Sequence, residues 1–423
     1  MPSIKRRPSK SNMESKLPVT PYAPTTDSSA DVVKTRSTAQ LAGIVLTSVL
    51  MGLVFGTTFA KSHVFEPYLI RGQFIFSRFV MLKMFLSAMG CGALCLAVLS
   101  KYATVQFDAC RKAWESVALS RGWVTGTITG TFILGAGMSV AGACPGMVLS
   151  QVGSGVPNSG VTVAGGLVGA LIYGLCETRI KENWLQKGPQ GPSKHVYFDR
   201  LIQKPYAMFA IILGVACIVF AIILEVVVPW KTELPRRLQA QLAEDFCGDS
   251  SFDVFRCPGW PPAAAGIVLG FMQIPACLIV GTFLGSATSY QVCASVWALP
   301  VKTLVEGKFP YIVKFAVPQV ASWWQLAYCG SAVVAAFLWQ ISADDYSKCP
   351  GLDTVSAFVG GMLMLFGARM AAGCTSGHGI SGCAIGMIQS FIGVPAMFSG
   401  GIIVGMIWNF GINAETYIPS SSN

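Results

Sequence analysis

The sequence predicts an all-α polytopic membrane protein of about nine transmembrane helices plus short re-entrant half-helices, arranged as two inverted-topology repeats. Three observations lead there. Of 423 residues, 53% are hydrophobic and only 12% charged, a balance that a water-soluble core does not need. Apolar runs of about 20 residues, the length that crosses a bilayer, recur along the chain. And two glycine-rich segments, Gly137 to Gly146 and Gly367 to Gly377, repeat each other at an offset of 230 residues, each placing a cysteine where an apolar run breaks.

Taken in order, residues 1–38 are rich in Ser, Pro, Thr and Lys without an apolar run and read as a disordered polar tail. No signal-peptide pattern precedes the first span. Spans are expected near 39–60, 79–100, 122–142, 160–178, 206–230, 262–284, 321–341, 353–372 and 395–412. Shorter pieces near 105–119, 145–155, 286–298, 308–320 and 377–391 cannot cross and read as half-helices or interfacial segments. The expected organisation is a first transmembrane repeat over 39–178, a connecting span and loops over 179–261, a second, inverted repeat over 262–412, and a short tail over 413–423.

The repeat extends beyond the cysteines. Gly130, Gly137 and Cys144 match Gly360, Gly367 and Cys374, Gly165 and Gly166 match Gly400 and Gly401, and Gly43 to Leu46 resembles Gly266 to Leu269. Four spans per half plus one connecting span force the second half to enter the membrane from the opposite side. Broken helices at matching places in inverted repeats meet near the bilayer midplane.

The side holding the N-terminus carries 20 Lys and Arg against 8 on the other, which predicts a cytoplasmic N-terminus. The formal charge of +10 is thereby assigned to membrane orientation. No basic stripe interleaved with aromatics points to nucleic acid, so no nucleic-acid partner is expected. Cys247, Cys257 and Cys349 all fall on the opposite side, where a disulfide among them is expected.

Most other cysteines (Cys91, Cys95, Cys176, Cys217, Cys277, Cys293 and Cys329) read as small apolar packing residues. Cys144 and Cys374 differ, because interrupted backbone at membrane depth belongs in protein or along a cavity. The candidate pathway therefore comprises Gly142, Cys144, Pro145 and Gly146 in the first half, and Gly373, Cys374, Thr375, Ser376, Gly377 and His378 in the second. Arg369, an arginine within a span, is expected to face the interior and pair with a permeating anion, or else to snorkel or find a carbonyl. Lys61, Ser62, Glu66, Arg71 and Gln73, with Ser286 and Tyr290 in the second half, are weaker candidates for lining two vestibules, and an interfacial loop explains them nearly as well. Lys83 is expected to snorkel. There is no Cys-x-x-Cys pair and there are only three histidines, so no metal site and no cofactor is expected. Nor is there a hydroxyl nucleophile with a base motif, a phosphate loop or a paired carboxylate within the spans, so catalysis is not expected.

On the paired cysteine motifs, their spacing and the nine-span count, the chain resembles the YeeE/YedE sulphur-transport membrane proteins over roughly residues 40–412. The resemblance implies a compact, pinched bundle in which thiols at the positions of Cys144 and Cys374 hydrogen-bond the terminal sulfur of thiosulfate. A third family cysteine falls in a stretch that here reads Lys61-Ser62-His63-Val64-Phe65, without a cysteine. The long tail and the loop over 231–261 suggest a eukaryotic relative, and bacterial relatives can place the N-terminus outside. The function expected is thus a transporter or channel for thiosulfate or a related sulfur-containing anion, with no coupling ion identified. The alternatives are a membrane sulfur-relay or redox protein forming cysteine persulfides, and a permease for another small solute.

Overall fold

The computed structural model describes residues 38–119, 123–183, 196–234, 239, 259–305, 307–316, 320–412 and 417–418. The expected tail, Cys247 and Cys257 lie outside these. Among the described residues, eight helices are long and apolar enough to cross a membrane, and a ninth candidate is the pair Thr354–Met370 and Thr375–Gly382, bent by 46°, which fits a broken span or a re-entrant loop. No named strand occurs among the described residues.

The first half contains α1 (Thr38–Ser62), α2 (Pro67–Phe74), α3 (Val80–Tyr102), α4 (Thr104–Leu119), α5 (Trp123–Ala141), α6 (Met147–Gly153) and α7 (Ser159–Asn183). A short turn, α8 (Phe198–Leu201), precedes the connecting span α9 (Tyr206–Val227) and α10 (Trp230–Glu233). The second half contains α11 (Pro262–Phe271), prolonged by a π-turn at Ala276–Val280, then α12 (Ala287–Ser295), α13 (Pro310–Ala316), α14 (Val320–Ser342), α15 (Thr354–Met370), a π-helical segment Thr375–Gly382 and α16 (Ile388–Met406).

Small residues decide how these helices meet, since close backbone approach supplies the packing that lipid does not. On α5 and α15, a Cβ at Gly130 would strike Ala371 and one at Gly360 would strike Ala141. Gly137 meets Met364 in the same way, and Gly367 meets Leu134. Each contact returns with its partners exchanged under the 230-residue offset, and the numbers rise along α5 as they fall along α15. The equivalent helices therefore cross antiparallel, the relation that an inverted repeat demands. The other main pairings obey the same exchange: α1 packs on α14 as α11 packs on α3, and α7 packs on α15 as α16 packs on α5. The connecting helix α9 packs on α3 and leaves Ile212, Val215, Phe220 and Ile222 exposed, as a lipid-facing helix does.

Two expectations change. The stretch after α1 is the buried helix α2 rather than a loop, with Glu66, Arg71 and Gln73 all inside the protein. Lys83 does not snorkel: its ammonium is fully buried, 2.6 Å from Glu233 and 3.1 Å from Glu225. Two carboxylates carried by α9 and α10 satisfy a charge that burial alone would forbid.

Candidate functional site

Each broken helix ends on a residue with left-handed backbone, Gly142 at φ +53° and Ala372 at φ +64°. These are equivalent positions under the offset. The chain then reverses toward the centre of the bundle. The hydroxyl of Thr375 comes 3.2 Å from the sulfur of Met138 on α5 and 3.6 Å from that of Met397 on α16. Gln151 of α6 fixes the first turn by donating to the carbonyls of Phe65 (2.8 Å) and Gly142 (2.9 Å).

The reversals bring Cys144 and Cys374, both buried, into one cluster of core residues. The amides of Gly146 and Met147, at the start of α6, are directed at Cys144. Those of Gly377, Ser286 and Ala287 are directed at Cys374. Cys374 also lies 3.2 Å from the Ser376 hydroxyl and 3.8 Å from that of Ser286. Ser286 in turn sits against Gly146, where a Cβ would lie 3.2 Å from its oxygen and 3.1 Å from the ring of Phe55. The Tyr290 hydroxyl donates to the carbonyl of Pro145 at 2.8 Å. Two thiols, two hydroxyls and the amide ends of two short helices thus converge, with Phe55 and Tyr290 against the first turn and Tyr328 packed on Phe55 at 5.4 Å. Convergent amides favour negative charge, while thiols are weak, polarizable donors.

Other candidates lie elsewhere or act differently. Arg369 is buried but turned from the thiols, donating to the Tyr311 hydroxyl from Nε (3.0 Å) and Nη2 (2.6 Å) and approaching Thr288 on α12 at 3.4 Å. His378 spans its own turn: Nε2 is 3.0 Å from the Ala371 carbonyl, an obligate acceptor, and Nδ1 is 3.1 Å from the Ser390 hydroxyl. The imidazole therefore carries its proton on Nε2 and accepts at Nδ1. Gly373 packs flat against this ring.

The charged stretch after α1 builds the opposite end of the bundle. Lys61 is buried with its ammonium 3.7 Å from the ring centre of Trp339 and 5.0 Å from that of Trp260. His63 is 3.8 Å from Glu66 and 4.0 Å from Asp345. Ser62 reaches the Phe59 carbonyl at 3.2 Å. Arg71 donates to the carbonyls of Val140 (2.7 Å) and Tyr417 (3.1 Å), tying α2 to the end of α5. Gln73 is buried in the last turn of α2. Ser286 and Tyr290, expected in a vestibule, stand instead beside the thiols. Cys349 is buried, and both of its expected disulfide partners lie outside the described residues.

Gln151, Phe55 and Tyr328 escaped the sequence reading, while Cys329 reads there as a packing residue. The Cys329 thiol lies 3.3 Å from Ser289, one residue from Tyr290. A glutamine inside a seven-residue half-helix was the one available signal, since a buried amide needs partners. Among the described residues, no cluster of three His, Cys, Asp or Glu could hold a metal ion.

The family described as sulphur transport matches this chain over residues 61–403. A search of curated proteins returns no match. A multi-pass helical membrane architecture and a match over most of the chain assign a sulfur-related transport role. The chain belongs to the sulphur transport family.

Proposed function

We propose that this protein moves thiosulfate or a closely related sulfur-containing anion across its membrane through the constriction between Cys144 and Cys374. The observation that carries the reading is the convergence of the two cysteine turns, from equivalent places on antiparallel broken helices: Ser286, 3.8 Å from the Cys374 sulfur, packs against Gly146, and Tyr290 donates to the carbonyl of Pro145. Thiosulfate has one soft sulfur terminus and a hard, charged oxygen face. Thiol S–H groups donate to the former, and backbone N–H and serine O–H groups to the latter. Desolvation of a dianion is costly in hydrocarbon, and the converging amides offset it without a permanent counter-charge that would hold the anion in place. Arg369, behind Thr288, adds positive potential at the start of α12. Residues 39–178 and 262–412 form the two repeats in this reading. The Lys and Arg asymmetry supports a cytoplasmic N-terminus.

The test is uptake of labelled thiosulfate by proteoliposomes holding the purified protein. Hydrogen bonds to a charged partner contribute roughly 1.5–3 kcal/mol each, so Cys144→Ala and Cys374→Ala should each reduce uptake by about 10-fold or more. Excess sulfate, which lacks the soft terminus, should compete weakly. Uptake that is unaffected by both substitutions, or suppressed equally by sulfate, refutes the reading.

A further inference from the structure

We infer that Trp114 of α4 is the gate of a vestibule that leads to Cys374 from the end of the bundle where α4 lies. The inference rests on reading Cys374 as a pathway thiol. A cavity of about 50 Å³ lies between α4 and the second broken helix, bounded by Trp114 and Ala118 on one side and by Gly373, Gly377, His378 and Gln389 on the other. That volume holds a few water molecules and is too small for a hydrated dianion, so the anion does not fit in it as it stands.

The wall between this cavity and the thiol is thin. A Cβ on Gly377 would lie 3.9 Å from the sulfur of Cys374, so glycine leaves only backbone between the two. The amide of that same residue is directed at the sulfur. The lining also mixes an apolar ring with amide and imidazole groups, the kind of surface that keeps water.

Trp114 is held in a way that links the cavity to the constriction. Its indole N–H donates to the Thr282 hydroxyl at 3.2 Å, and its ring meets Phe283 edge-on at 5.5 Å. Thr282 and Phe283 belong to the break between the π-turn and α12, just past Gly281 at φ +79°. Four residues beyond Thr282 comes Ser286, whose hydroxyl faces Cys374. The indole thus lines the cavity and bears on the segment that presents Ser286. The helix that carries it is moored independently, through Arg111, which makes two hydrogen bonds to Asp199 at 3.1 and 2.5 Å. Movement of the indole would therefore not require α4 to move. A tryptophan that served only as an interfacial anchor would have no effect on the reactivity of a buried thiol.

The experiment reads that reactivity. Reconstituted protein is treated with a membrane-impermeant, anionic methanethiosulfonate, and peptide mass spectrometry follows the adducts at Cys374 and Cys144. Trp114→Ala should raise the rate at Cys374 about 10-fold or more and leave Cys144 unchanged. Thr282→Val, which removes only the hydroxyl that holds the indole, should move the rate in the same direction by a smaller factor. It decides the question alone if Trp114→Ala fails to elute as a folded species. A Cys374 rate unchanged in the folded variants, or one that rises equally at Cys144, overturns the gate. The readout does not require transport: wild-type protein without thiosulfate uptake but with a Trp114-dependent Cys374 rate would overturn the thiosulfate reading and keep the gate.

Discussion

The turn at Gly142 to Gly146 and the turn at Ala372 to Gly377 occupy equivalent places in the two repeats and share a left-handed residue at the break, yet they are furnished differently. Cys144 is met by amides of its own turn and of α6. Cys374 gathers amides from its own turn and from α12, along with the hydroxyls of Ser286 and Ser376. Their rears differ as well. Behind Gly142 stands Pro67, close enough that a Cβ would lie 2.8 Å from it, whereas beyond Gly377 lies the cavity under Trp114. A duplicated backbone has thus kept its geometry while its donors became concentrated on one side. In the proposed function the second turn grips the anion and the first supplies a firm, soft-donor surface opposite.

The largest expected effect follows from that asymmetry. In the uptake assay Cys374→Ala should cost more than Cys144→Ala, because removing the sulfur also leaves two hydroxyls and three amides without their centre. Equal losses would mean that the two turns bind alike. Next comes Gly142→Ala, which places a side chain in a left-handed conformation that costs roughly 1–2 kcal/mol, with the contact against Pro67 in addition. Its thermal midpoint in detergent should fall by several degrees. The mirror substitution, Ala372→Gly, removes that conformational cost and adds about 0.5–1 kcal/mol of glycine entropy. Its midpoint should hardly move.

Smaller effects sharpen the picture further. Ser286→Ala and Ser376→Ala each remove one hydroxyl that flanks Cys374. A typical net hydrogen-bond contribution of about 0.5–1.5 kcal/mol predicts a two- to tenfold weaker apparent affinity for thiosulfate, read from the concentration dependence of uptake. The smallest expected effect belongs to Asp353, which caps α15 by accepting from the Ser356 amide at 2.9 Å. Burial pushes its carboxyl up, but the Ser356 hydrogen bonds outweigh it and hold the pKa below the usual carboxylate value. The stabilisation is therefore present at neutral pH and is lost as the pH falls through that lowered pKa. Asp353→Ala should cost about 1 kcal/mol at neutral pH and less in acid.

What the sequence disclosed and what it hid divide along one physical line. Spans, broken helices and the inverted relation were legible because hydropathy, glycine and proline act locally, and because an odd connecting span fixes direction. Cys144 and Cys374 followed from the break itself. Polar residues inside the membrane were misplaced wherever their partners are remote in sequence. Lys83 reads as a snorkelling lysine until Glu225 and Glu233 arrive from α9 and α10. Arg71 reads as a loop charge until the carbonyls of Val140 and Tyr417 surround it. Arg369 finds a tyrosine 58 residues upstream, and His378 reaches Ser390 on α16 as well as the Ala371 carbonyl of its own turn. Trp114 gave no signal, since an amphipathic interfacial helix accommodates a tryptophan without any gate.

The most direct test of the central claim is to locate the anion. Selenosulfate keeps the oxygen face of thiosulfate and replaces its soft terminus with selenium, whose anomalous scattering marks one atom in a crystal of the protein. The account predicts a selenium peak between the sulfurs of Cys144 and Cys374, with the oxygens toward Ser286 and the amides of α6 and α12. Selenium bound only at a lipid-facing surface, or an occupied constriction in which oxygen rather than selenium faces the thiols, would contradict it.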